Sequence, residues 1–177
     1  MEGKTLQMKA EDVIGIYTKL EDLGIKVWVD GGWGVDALLG KQIREHQDLD
    51  IAIQYKDLPK FREYMESRGY KEIERDDDKK WNFVLRNEKG YEVDVHAFHF
   101  DEQGRVIEGI EYPDGSLTGT GSLEGVVVRC IDPKHMVQFL APWLSKHPHK
   151  YAQAISALCE KFSIEYPPEY ISFIKQQ

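Results

Sequence analysis

The chain has 177 residues, 41% hydrophobic and 31% charged, enough apolar matter for a folded core and too much for a disordered segment. Lysine and arginine number 23 against 31 aspartates and glutamates, a formal net charge of −8. That balance argues against a broad basic face that grips nucleic acid and against docking on an anionic membrane, and no apolar run approaches the roughly 20 residues that span a bilayer.

Val13, Ile16, Tyr17, Leu20 and Leu23 fall on one helical stripe, which Gly24 stops. Residues 25–29 read as a buried strand that Gly31-Gly32 breaks, and 33–39 as a short helix closed by Gly40. A polar stretch leads into a strand over 48–54. Asp57 is the expected N-cap, with Pro59 in the first turn, of a helix carrying Leu58, Phe61 and Met65 to Gly69. Strands follow over 70–74, 81–86, 91–100 and 104–108. The turn formers at 76–78, 87–90 and 101–104 join them as antiparallel hairpins. The glycine-rich stretch 112–125 reads as a long loop, and 126–131 as a last strand. Asp132-Pro133 caps a helix that Pro142 ends or bends. Pro148 opens another, with Tyr151, Ile155, Leu158 and Phe162 on one face. The sum is an α+β fold, a mixed β-sheet flanked by helices with a helical C-terminal portion. The expected division is a core over 1–131 and a helical region over 132–177 packed on it.

Met1-Glu2-Gly3-Lys4 has no apolar run behind its charge, so no secretory signal and a cytoplasmic location are expected. Cys130 and Cys159 are too few for a disulfide framework or a metal cluster and are expected to be reduced core thiols.

The densest chemistry lies in Asp48-Leu49-Asp50-Ile51. Strand alternation points Asp48 and Asp50 to one face while Leu49 and Ile51 enter the core. Two carboxylates this close repel unless a cation sits between them, and hard oxygen ligands suit Mg²⁺; an acidic solvent face gives the same pattern. In residues 91–96, Tyr91, Val93 and Val95 fall on one side and Glu92, Asp94 and His96 on the other. With the two strands adjacent, three or four acids converge on faces that hold no Lys or Arg. Gly31-Gly32 lets a backbone approach a ligand at a helix start, where phosphate is favoured; a plain turn is the other reading. Neither a dinucleotide fingerprint nor a P-loop fits: Val35-Asp36 follows Gly34, and Gln42 follows Gly40-Lys41. His96 with His99, and His147 with His149, lack a third ligand at zinc spacing. The basic helix start Lys146 to Lys150 either touches phosphates or faces solvent. Trp81, Tyr91 and Trp143 either stack on a ligand or pack in the core.

Val29-Asp30-Gly31-Gly32-Trp33-Gly34-Val35-Asp36, followed by Arg44-Glu45-His46-Gln47-Asp48-Leu49-Asp50-Ile51, resembles the signature of antibiotic nucleotidyltransferases. These are the small lincosamide nucleotidyltransferases and, more distantly, the aminoglycoside 2''-nucleotidyltransferase, within the DNA polymerase β-like superfamily. Residues 90–98 resemble the third-carboxylate strand of the lincosamide enzymes. The resemblance implies a nucleotidyltransferase-type sheet and Mg²⁺-dependent transfer of a nucleoside monophosphate, with ATP as the expected donor. The acceptor it implies is a hydroxyl of a lincosamide- or aminoglycoside-type small molecule. It implies that Asp48 and Asp50 hold Mg²⁺ on the triphosphate and that Asp94 ligates a second ion or serves as general base, so one or two ions are expected. Gly31 and Gly32, with Trp33, Arg44 and His46, become the nucleotide cradle; Arg44 and His46 equally fit pairing with Glu45 or capping a turn. Asp36 reads as structural. No nucleic-acid or membrane partner is expected, and a homodimer is left open. Two other readings stand beside this one. The first is a minimal nucleotidyltransferase of a toxin–antitoxin system acting on protein or tRNA, and the second a non-catalytic nucleotide- or metal-binding module.

Overall fold

The computed structural model describes residues 7–75 and 80–176; the N-terminal residues 1–4 discussed above and the expected turn at 76–78 lie outside the described residues. Helix α1 (Ala10–Asp22) buries Val13, Tyr17 and Leu20 of the expected stripe. Strand β1 (Val27–Val29) runs directly into α2 (Gly31–Leu39), so the helix starts before the expected residue 33 because the two glycines form its first turn. After β2 (Asp48–Gln54) come α3 (Leu58–Ser67), β3 (Lys71–Ile73), β4 (Asn82–Arg86), β5 (Glu92–Phe100) and β6 (Val106–Gly109).

The described strands form one mixed sheet in the order β3-β4-β5-β2-β1-β8-β7, with β6 added beside β5. At its centre β2 runs parallel to β5, in register from Asp48↔Glu92 to Gln54↔Phe98. On the other side of β5, β4 pairs with Glu92 to His96, and β6 takes over at Phe98 to Phe100. The first halves of β2 and β5 alternate between buried and half-buried residues, while Ile51, Ala52 and Ile53 are buried in succession. Strand β2 is therefore covered on both faces over Ile51 to Ile53 and open on one face at its start, beside the start of β5.

The stretch expected as a long loop contains β7 (Gly119–Leu123), paired antiparallel with β8 (Val126–Cys130). Its glycines answer a packing demand: a Cβ at Gly121 would stand 2.3 Å from the Ala37 backbone of α2. Helix α4 (Pro133–Leu140) is capped by Asp132, which accepts from the Lys134 and His135 N–H groups, and Pro142 closes it in a 3₁₀ turn. Then come α5 (Pro148–Phe162) and α6 (Pro168–Ile174). Helix α2 touches β1, β2, β7 and β8 as well as α4 and α5, and Met136, Val137, Ile155 and Leu158 share one core with the sheet. Cys130 and Cys159 are free and buried, and burial pushes the Cys130 thiol up to about 12. No helix among the described residues is long and apolar enough to cross a membrane.

Candidate active site

At the open end of the sheet, Asp50 and Asp94 are direct register partners on neighbouring parallel strands. Strand alternation sends both side chains, and that of His96, to the same face. One ligand atom from each of Asp50, Asp94 and His96 lies within 4.8 Å of the others. His96 Nε2 is 3.3 Å from Asp94 Oδ1 and 3.9 Å from Asp50 Oδ1. Asp94 Oδ1 and His96 Nε2 are nonetheless buried without a hydrogen-bond partner, an arrangement that a cation would satisfy. Asp48 stands outside this trio, two residues upstream on β2.

The two acidic faces meet as expected, with Asp48 opposite Glu92 and Asp50 opposite Asp94. Glu92, opposite Asp48, is engaged by Arg86 across the β4–β5 ladder, with Nε to Oε1 at 2.7 Å. Arg75 Nη1 approaches Asp94 Oδ2 at 3.8 Å. The bases absent from the two acidic faces arrive from the neighbouring strand and the segment after β3, which alternation within β2 and β5 does not reveal.

Electrostatics at this end are those of an acid cluster. Burial, then the charge of Asp48, raise the Asp50 carboxyl to about 7. Burial works to lower His96, but the contact with Asp94 and the charges of Asp50 and Asp30 outweigh it and raise the imidazole to about 9. The cluster holds protons where a metal ion would hold charge.

The start of α2 lies directly against this cluster. Asp30 continues the β1–β2 ladder by donating its N–H to the Asp50 carbonyl at 2.9 Å. Gly31 sits at φ 55°, and a Cβ there would come 2.1 Å from Asp50 Oδ2. At Gly32 a Cβ would meet His46 Nδ1 at 2.3 Å and Arg44 Nη2 at 2.6 Å. Only glycine lets the helix start come so close to a carboxylate on one side and to Arg44 and His46 on the other. The half-buried Arg44 also donates to the Glu45 carbonyl at 3.0 Å.

Gly31, Gly32, Asp48, Asp50, Asp94 and Arg44 thus gather at one end of the sheet, whereas Trp33 and His46 lie beneath it. Trp33 is 1% and His46 2% exposed, with their rings 4.6 Å apart. His46 Nε2 is held by Asp36 Oδ2 at 2.5 Å, and Asp36 Oδ1 accepts the Ile43 N–H at 3.1 Å. These two side chains prop the glycine turn from below, and Asp36 has the structural place expected of it. From the basic helix start, Lys150 and its neighbour Tyr151 line a crevice with Gly32, Arg44 and His46. His99 packs on Tyr55 at 4.8 Å. Sequence reasoning missed Asp30 and Tyr112 as parts of the site. An aspartate before a glycine pair signals a helix cap, but nothing in the sequence ties Tyr112 to it.

Carboxylates from two adjacent strands under a glycine turn at a helix start define the nucleotidyltransferase fold. The same fold is seen in the lincomycin-bound structure of the lincosamide antibiotic adenylyltransferase LnuA, with a TM-score of 0.73, 23% identity and coverage of 90% of this chain and 100% of that one. It is seen again in ANT(2'')-Ia in complex with adenylyl-2''-tobramycin, with a TM-score of 0.74, 19% identity and coverage of 94% and 97%. Residues 12–151 match the aminoglycoside-2''-adenylyltransferase family, and the chain belongs to that family. A lincosamide resistance protein of Staphylococcus haemolyticus is 32% identical over 109 residues, which span 59% of this chain and 64% of that protein. A 2''-aminoglycoside nucleotidyltransferase of Escherichia coli is 27% identical over 156 residues, 81% of this chain and 84% of that protein.

Proposed function

We propose that the protein transfers AMP from ATP to a hydroxyl of a lincosamide- or aminoglycoside-type small molecule, releasing pyrophosphate, in the ATP-containing cytoplasm. The observation that carries this reading is the register pairing of Asp50 with Asp94 against the Gly31-Gly32 turn in a member of this family. Asp48, Asp50 and Asp94 would hold Mg²⁺, whose preference for carboxylate oxygen suits this donor set. When bound, the ion neutralises charge on the phosphates and polarises the α-phosphoryl group. The Gly31-Gly32 turn and the positive end of α2 bind the phosphates, and Arg44 adds its guanidinium. Trp33 and His46 support that turn from below. The acceptor oxygen attacks the α-phosphorus, the bond to pyrophosphate breaks, and Asp94 takes the hydroxyl proton.

A pyrophosphate-release screen of nucleoside triphosphates against lincosamides, aminoglycosides and simple sugars tests the proposal. Release is expected with an antibiotic acceptor, Mg²⁺ and ATP together. Label from ATP appearing on protein or tRNA in a lysate, or nucleotide binding with no release for any acceptor, would refute it.

The metal assignment has its own check. With Asp50 raised to about 7 and His96 to about 9, the metal-free cluster retains protons at neutral pH. Mg²⁺ binding at pH 7 should therefore release protons, and its affinity should rise from about pH 6 to about pH 9 and then level. Calorimetry in two buffers of different ionisation enthalpy reads the proton count, and zero release at pH 7 would remove Asp50 from the ligand set.

A further inference from the structure

The aspartate before the glycine pair is tied on three sides. Its N–H donates to the Asp50 carbonyl at 2.9 Å, its Oδ1 accepts the Gly31 N–H at 2.7 Å, and its Oδ2 accepts the Tyr112 hydroxyl at 2.9 Å. Capping a helix needs one side-chain oxygen, which serine or asparagine supplies equally well. Here the second oxygen is also engaged, by a phenol only 5% exposed. The Tyr112 ring stands between Phe98 of β5 and Phe139 of α4, at centroid distances of 5.6 and 6.0 Å. Those contacts fix the ring, and the ring fixes the carboxylate. Burial, reinforced by the nearby Asp30 charge, holds the Tyr112 hydroxyl well above its ordinary value, so it stays a donor.

The tie joins three separate parts of the molecule. Phe98 lies four residues after Asp94 on the same strand, Phe139 belongs to the C-terminal helices, and Asp30 begins the glycine turn. Gly31 has no slack, since even a Cβ would collide with Asp50 Oδ2 at 2.1 Å. In a reaction centre an error of about 1 Å in placement can cost about a hundredfold in rate.

We infer that Tyr112 is a positioning residue for the nucleotide: through Asp30 it sets where the Gly31-Gly32 turn stands over Asp50, without touching nucleotide or acceptor. The inference rests on the proposed role of that turn as the phosphate cradle.

The test uses the full chain carrying Tyr112→Phe, Asp30→Ser or both. Tyr112→Phe deletes only the hydroxyl, and Asp30→Ser keeps a cap too short to reach it. Binding of a non-hydrolysable ATP analogue in Mg²⁺ is measured by calorimetry, and KM and kcat by pyrophosphate release. Each single variant is expected to raise the analogue's Kd and the KM for ATP about tenfold. The KM for the acceptor should stay unchanged, and kcat should fall less than the KM for ATP rises. The double variant should lose no more than the worse single, because both remove the same tie. A purely structural role would instead lower the melting temperature and the active fraction with KM unchanged, and that result overturns the inference. Additive losses in the double variant overturn it too. Should Tyr112→Phe fail to fold, Asp30→Ser carries the same expectation and the same refutation. A wild-type chain that binds no analogue refutes the phosphate cradle itself, whereas wild-type binding with unchanged affinity in Tyr112→Phe refutes only the role of Tyr112.

Discussion

Asp50→Asn is expected to lower transfer by at least about a thousandfold while making the metal-free protein more stable. The two effects have one cause. Asp50 sits among Asp48, Asp30 and Asp94, whose charges work against its ionised form, and His96 opposes them. On the proposed reading, that concentration of negative charge would supply binding energy to a cation; without one, the same charge is repulsion. The folded-state carboxyl at about 7 lies above its ordinary value of 3.8, so the folded chain holds a proton more tightly than the unfolded chain. Folding stability from this group is therefore lost as pH rises from about 4 to about 7, and it stays lost above that. Asparagine has no proton to lose. The variant should match the wild type at pH 4 and exceed it at pH 8, by on the order of 2 kcal/mol or roughly 5 °C in Tm. Thermal melts in a chelator at both pH values, set beside pyrophosphate release in Mg²⁺, check the pair of signs. A variant that transfers normally, or that melts below the wild type at pH 8, would show that Asp50 is not the centre of the acid cluster.

The acidic end of the sheet was legible because period-2 alternation is a local property of the chain. Strand β2 forms over the expected residues 48–54, and β5 starts one residue later than expected at Glu92. Asp48 and Asp50, and Asp94 with His96, face as alternation requires. Alternation misleads where the strand stops. His46 lies two residues before Asp48, as if on the same face, but the strand begins only at Asp48. His46 instead makes an isolated bridge to Met8 and turns into the core. Arg86 and Tyr112 were not legible as parts of the site, because each meets its partner through register or tertiary packing. The glycines of β7 misled for a related reason: glycine in a sequence marks a turn or a close approach, and only the presence of α2 overhead decides which.

The burial of His46 leads to the largest expected effect on stability, that of Asp36→Ala. Asp36 is 0% exposed, and each of its oxygens holds a separate group, the His46 ring at 2.5 Å and the Ile43 N–H at 3.1 Å. Alanine leaves both groups without the partner they have in the folded chain. Leaving two buried polar groups unsatisfied costs about 3 kcal/mol or more, which for a chain of this length lowers Tm by roughly 10 °C. Asp36→Asn retains an oxygen and an amide and should lose less than half as much. The functional consequence is selective. Asp36 does not belong to the Asp50–Asp94–His96 group, so proton release on Mg²⁺ binding should persist in folded Asp36→Ala. Nucleotide affinity should fall, because His46 lies against Gly32 and a freed imidazole no longer supports the turn. Melting curves, buffer-dependent calorimetry with Mg²⁺ and analogue binding together separate these outcomes. Loss of the metal-linked protons alongside the nucleotide would mean that the buried pair and the carboxylate cluster form one unit rather than a support and a site.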